Sequence, residues 1–258
     1  MPFSFSPPRR LVPVLLLLGA CSLWQCAGQA ERLRGEELYY NEGKRAMEKK
    51  RYTTAVEKFQ RLVSNFPGSP HVAEAQFLLA EAYFFTKDFV NATFEYQRLV
   101  DGYPTVEWVP QAQFKIAEAY FLQSRRPELD QKETYDALGH YRRFLEDYPD
   151  HELAEFSRKR IVECRSRLAK KQYLNGRLYH RQGYLAAAVL AYDEVLRDYT
   201  DTPWYYRTLL QIGDVKLRQG KELEARGHWE ESARSERADD ETRLEAKRRL
   251  QELGVPAE

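Results

Sequence analysis

The residues able to do chemistry in this 258-residue chain are few and far apart. Its five histidines (His71, His140, His151, His180 and His228) share no H-E-x-x-H pattern and no paired ligand spacing, so they do not outline a metal centre. No glycine-rich phosphate loop and no Gly-x-Ser-x-Gly elbow occurs. Carboxylates are plentiful, but on helices of this composition they read as solvated faces. The side chain best placed for a covalent event is Cys21, which follows Leu18-Gly19-Ala20, an apolar run over Leu11–Leu18, and the basic pair Arg9-Arg10. Its thiol is a candidate for acylation. The rest of the chain is expected to bind and not to catalyse, with no cofactor and no metal.

The order of charge, apolar run and small residues makes 1–20 a removable leader. An apolar run of about ten residues is too short to span a bilayer as a mature helix. Small residues before a cysteine resemble a bacterial lipobox, in which the cysteine takes the lipid and becomes the mature N-terminus. An ordinary secretory signal with an incidental cysteine is the alternative. Several acyl chains on Cys21 would hold where a single chain would not. Ser22, and not Asp, follows the cysteine, which in such lipoproteins favours the outer membrane. Residues 21–35 then form a tether. Cys26 in the tether and Cys164 in a helical run make a poor disulfide framework. With 40 basic and 39 acidic residues there is no sign of the basic stripe a nucleic-acid binder carries.

The positioning elements are helices, and they repeat. Gln76–Phe84 and Gln113–Phe121 match at seven of nine positions with a spacing of 37. A period between about 20 and 50 residues marks a stacked-repeat architecture. Small residues fall at Gly43, Ala80, Ala117, Gly176 and Gly213, and a second set at Ala55, Ala92, Ala137, Ala188 and Ala225. An aromatic lies four beyond each of the second set: Phe59, Tyr96, Tyr141, Tyr192 and Trp229. Pro67, Pro104 and Pro149 close three of the repeats. The pattern resembles tetratricopeptide (TPR) repeats, in which small residues let two helices approach and the aromatic fills the gap behind. It predicts an all-α tetratricopeptide-type solenoid of five helix pairs, capped by a C-terminal helix over 241–253. Residues 36–150 would form an N-terminal half with three repeats, and 151–258 a C-terminal half.

Two departures from the period carry structure of their own. Repeat three has eight extra residues between its helices, in the proline- and charge-rich stretch 123–132, which reads as a protruding loop. Before repeat four, spacing at Leu153, Phe156, Ile161 and Leu168 extends its first helix backwards to nearly thirty residues. Ser69-Pro70 and Thr202-Pro203 are expected to cap the helices that follow them.

Positions before and after each small residue should line the inner face of the stack. They give an aromatic stripe of Tyr40, Phe77 and Phe114 with Met47, Phe84 and Phe121, and Lys44, Glu81 and Glu118 between. The later repeats place Tyr173, Leu210, His180 and Leu217 there, with Arg177, Arg181 and Arg218 making that stretch basic. Such a stripe suits an extended peptide with aromatic side chains, because rings give large contact area at low entropic cost. The alternative is that these rings pack against their partner helices.

The stretches Arg167–Ala187 and Leu196–Thr202, with the leader and repeats, resemble the BamD family, the lipoproteins of the outer-membrane β-barrel assembly machinery. The likeness runs from Cys21 to about Leu253; Thr200 stands where the family usually has proline. It implies a non-enzymatic periplasmic scaffold, lipid-anchored at the outer membrane and touching the membrane by that anchor only. Partners would be the periplasmic domains of a BamA-type insertase, unfolded outer-membrane protein substrates received by the N-terminal repeats, and other assembly lipoproteins. The insertase contact is placed by region only, around Arg177, Arg181, Arg197, Tyr199 and Arg218. Competing readings are a TPR scaffold of the Tol–Pal system, or one serving polysaccharide or peptidoglycan machinery.

Overall fold

A computed structural model describes residues 35–254. Cys21, the leader and nearly all of the tether lie outside the described residues. The chain is all-α and of tetratricopeptide type. Helix α1 includes residues 35–48, and ten more follow: α2 (Tyr52–Asn65), α3 (Val72–Phe85), α4 (Phe89–Gly102), α5 (Val109–Gln123), α6 (Lys132–Asp147), α7 (Ala154–Arg181), α8 (Leu185–Asp198), α9 (Trp204–Arg218), α10 (Glu222–Arg234) and α11 (Asp240–Glu252). Two compact units emerge, one ending at Glu95 and the other beginning at Tyr96. In the first, α2 packs on α3; in the second, each helix from α5 to α11 packs on the next, and α7 meets α9 as α9 meets α11.

The small residues do what their spacing predicts. In three repeats the small residue is glycine, and the ring sixteen positions later lies flat on its backbone. A Cβ added at Gly43 would stand 2.6 Å from Phe59 Cε1, one at Gly176 2.5 Å from Tyr192 Cδ1, and one at Gly213 2.7 Å from Trp229 Cδ1. Phe59 and Tyr192 are fully buried and Trp229 nearly so. At 2 kcal/mol or so per buried large side chain, these rings form the axis of each unit's core.

The first helix of four repeats ends in the same way. Seven residues after the small residue the backbone turns left-handed, at Lys50 (φ 53°), Lys87 (φ 62°), Gly183 (φ 82°) and Gly220 (φ 75°). The next amide then reaches back five residues, Arg51 to the Ala46 carbonyl at 2.8 Å and Tyr184 to the Tyr179 carbonyl at 2.9 Å, satisfying a carbonyl the helix leaves open. A lysine pays a steric penalty there that glycine does not. Lys87→Gly is therefore expected to raise the unfolding free energy by about 0.5 kcal/mol once the entropy of the unfolded glycine is set against it. A urea midpoint that falls would contradict this.

Repeat three breaks the pattern at that position. Ser124, seven beyond Ala117, is extended (φ −57°, ψ 131°) and sends the chain into the inserted loop. The loop is exposed at Arg125, Arg126 and Glu128–Asp130, but it does not project freely. Gln131, 4% exposed, donates from Nε2 to the carbonyls of Arg126 (2.8 Å), Leu129 (3.1 Å) and Asp130 (3.1 Å). From α7, Lys171 Nζ donates to the carbonyls of Glu128 and Leu129 at 3.1 and 2.9 Å. The long α7, 28 residues or about 42 Å, thus clasps the loop as well as packing on α6, α8 and α9.

Two expected caps are not caps. Helix α3 starts at Val72, because Ser69 Oγ accepts the His71 amide (3.0 Å) within a turn and donates to Glu36. Thr202 turns its hydroxyl to the Tyr199 carbonyl at 2.9 Å, leaving α9 to start after Pro203 without a side-chain cap.

Candidate binding surfaces

In the first unit Tyr40, Met47, Phe77 and Phe84 are all half-buried. Tyr40 is held by polar and aromatic contacts together. Its hydroxyl donates to Glu74, its ring stacks on His71 with centroids 4.2 Å apart, and Lys44 Nζ lies 3.2 Å from its oxygen. Burial, then the Glu74 carboxylate, raises its pKa. Phe84 meets Phe89 edge-on at 5.4 Å, and the neighbouring Phe85 stacks on Tyr52 at 4.8 Å. Tyr40 and Met47 sit on α1 and Phe77 and Phe84 on α3, the helices that the small residues bring close to their partners.

In the second unit Phe114 and Phe121 are buried, at 6% and 9% exposure. Phe114 is enclosed by Tyr141, Phe144 and Phe156, with ring centroids at 5.9, 5.8 and 5.7 Å. Phe121 lies under two guanidinium groups of α7, Arg160 at 4.2 Å and Arg167 at 5.0 Å. The long α7 therefore covers positions that are half-open in the first unit. Glu118, at the polar position between them, is committed as well: it accepts from the Tyr141 hydroxyl and from Arg160 Nε at 2.7 Å.

The basic residues separate into two places. Arg177 and Arg181 on α7 and Arg218 on α9 are exposed on adjacent first helices, with Arg177 5.8 Å from the Tyr173 ring. His180 lies among them, 8% exposed; burial and then Arg218 lower its pKa, against the opposing pull of Asp214. Arg197 and Tyr199 lie instead at the end of α8. Arg197 is exposed and pairs with its neighbour Asp198 at 2.9 Å, while Tyr199 is buried beneath the Arg165 guanidinium at 5.4 Å. Arg165 itself bridges to Asp201 through two bonds of 2.7 and 2.5 Å and to the Asp198 carbonyl at 2.7 Å. That ion pair is the main reason the Asp201 carboxyl lies below its ordinary range.

Spacing did not reveal these clasps, since Arg165–Asp201 and Arg160–Glu118 join residues 36 and 42 apart. Cys164 is the small buried hydrophobe that its place in a helical run suggests, fully buried in the second unit's core with its thiol pushed up to about 12 by burial. Among the described residues no cluster of His, Cys, Asp and Glu could hold a metal ion, and no helix is long and apolar enough to cross a membrane.

Residues 34–229 match the YfiO family, described as outer membrane lipoprotein. The chain belongs to that family. YfiO relatives include the outer membrane protein assembly factor BamD of Caulobacter vibrioides, 25% identical over 224 residues, covering 84% of this chain and 73% of the relative. The BamD protein of Rickettsia prowazekii is 23% identical over 187 residues, covering 72% and 74%. As a YfiO-family member the chain is a scaffold and not an enzyme. Solved structures of similar outline include the P58(IPK) TPR domain (TM-score 0.47, 16% identity, 87% of this chain and 58% of that one). A tetratricopeptide repeat protein from Parabacteroides merdae scores 0.39 at 16% identity, covering 83% and 97%. The repeat assignment rests on the helix pairs themselves.

Proposed function

We propose that this protein is an assembly scaffold of the outer membrane, held there by lipid on Cys21, that binds a β-barrel insertase and the unfolded barrel proteins delivered to it. The observation that carries the reading is the family match across 34–229, with two relatives named as outer membrane protein assembly factors. The N-terminal half, 36–150, receives extended aromatic segments of substrate. There the half-open rings of Tyr40, Phe77 and Phe84, with Met47, offer the contact surface in the first unit; Phe114 and Phe121, at the matching motif positions of the second unit, are packed. The C-terminal half, 151–258, holds the insertase and the other assembly lipoproteins through the region of Arg177, Arg181, Arg197, Tyr199 and Arg218. Half-buried rings on a positioned helix suit such a role, since each offers large apolar area with few rotors to freeze.

The test is a crosslinked pull-down of the full-length protein from solubilised outer membrane, read by mass spectrometry. Recovery of the insertase, lost on deletion of 176–253, is the expected result. Recovery of Tol–Pal or polysaccharide-assembly proteins without the insertase would replace this reading with one of those scaffolds.

A further inference from the structure

Three arginines on α7 and α9 lack the carboxylate partners that their neighbours have. Most arginines nearby are paired: Arg207 with Asp239 (3.1 Å), Arg226 with Glu230 (2.6 Å) and Arg249 with Asp214 (2.7 and 2.9 Å). Among the described residues, Arg177, Arg181 and Arg218 form no such pair, and all three are exposed. Asp214 cannot serve them well, because its two oxygens are engaged by the Arg249 fork.

Below these arginines two buried polar atoms have no partner. His180 Nε2 is one, on a side chain 8% exposed, and the fully buried Tyr192 hydroxyl is the other. Native proteins seldom leave buried donors unanswered; of the two, only His180, 8% exposed and beside the basic residues, can be completed by an outside acceptor, since the Tyr192 ring is fully enclosed. Arg177 and His180 are one helical turn apart and share a face. Arg218 of α9 acts electrostatically on His180, and Arg177 acts on Tyr192, so the orphans and the free charges belong to one place.

We propose that this face is a receptor for a carboxylate-bearing stretch of an extended partner chain. Arg177 and Arg218 hold the anion, and His180 Nε2, in the tautomer protonated there, donates to it. The proposal deepens the scaffold reading, on which it rests for the existence of a partner. It assigns that partner an acidic segment. A neutral or basic segment would leave both arginines and the histidine unanswered, and a basic one would add like-charge repulsion.

The test titrates the full-length protein in detergent with a fluorescein-labelled glutamate-rich peptide and with its glutamine counterpart. The glutamate peptide should bind at least about tenfold more tightly, with an advantage that shrinks as salt is raised. Arg177→Gln with Arg218→Gln should abolish that preference, whereas Arg226→Gln with Arg234→Gln on α10 should leave it. Both inner arginines are exposed, so the double variant should melt as the parent does. The His180 imidazole nitrogen resonances should move on adding the glutamate peptide alone. Equal affinity for the two peptides, an unaffected double variant, or an unmoved His180 signal would each overturn the site. The double variant also goes through the membrane pull-down. Insertase recovered with the parent protein while the parent shows no acidic preference refutes the carboxylate site and leaves the scaffold standing; acidic preference in the parent without insertase does the reverse.

Discussion

Gly213→Ala is expected to lower the unfolding free energy by about 2 kcal/mol, although in an exposed helix the same change stabilises by about 1 kcal/mol. The sign is decided by Trp229. An added Cβ would stand 2.7 Å from its Cδ1 and 2.8 Å from its Cε2, so the indole must move. It has little room, being 2% exposed and donating from Nε1 to the Leu210 carbonyl at 3.1 Å. Moving the ring therefore strains the packing and stretches a buried hydrogen bond together. Gly176→Ala should behave alike, with the new Cβ 2.5 Å from Tyr192 Cδ1 and 2.9 Å from Cζ. Urea unfolding of both variants measures this. Unchanged or increased stability would mean that the rings do not bear on the glycines as described.

Removing the Glu118 side chain should cost more, about 3 kcal/mol for Glu118→Ala. Its carboxylate is 13% exposed and joins three helices: it sits on α5, accepts from Tyr141 on α6, and pairs with Arg160 on α7 at 2.7 Å. Loss of the acceptor leaves a guanidinium that is only 20% exposed with Glu163 (2.8 Å) as its remaining carboxylate, and strands a hydroxyl on a fully buried ring. The penalty arises from those orphaned partners more than from the lost attraction. Replacing both Glu118 and Arg160 by methionine should therefore cost clearly less than the sum of the two single changes. Additive effects in that double-mutant cycle would refute the clasp.

The repeat skeleton was legible because it is periodic. One ring laid on one small residue, again and again, leaves a trace that a single sequence preserves, and the 28-residue α7 follows from the same spacing. The basic character around Arg177 and Arg218 was legible for the same reason. Phe114 was less so. It occupies the same motif position as Phe77, but Phe144 and the backward extension of α7 at Phe156 enclose it, and enclosure depends on a helix some forty residues away. Clasps such as Arg165–Asp201 and Lys171 to the 124–131 loop join unique residues once each, so no period announces them. The caps failed because serine and threonine hydroxyls had nearer partners, in a preceding turn and in Glu36.

Helix α7 has a consequence for cooperativity. In an ideal repeat array each module touches only its neighbours, and partial melting can stop at any module boundary. Here a single uninterrupted helix lies on α6 with its first turns, clasps the loop of repeat three at Lys171, and supplies the small residue of the next repeat at Gly176. It removes the boundary at which melting could stop. Repeats three and four are thereby joined into one thermodynamic body, and the arginines at the far end of α7 are held by the packing around Phe114 as well as by their own repeat.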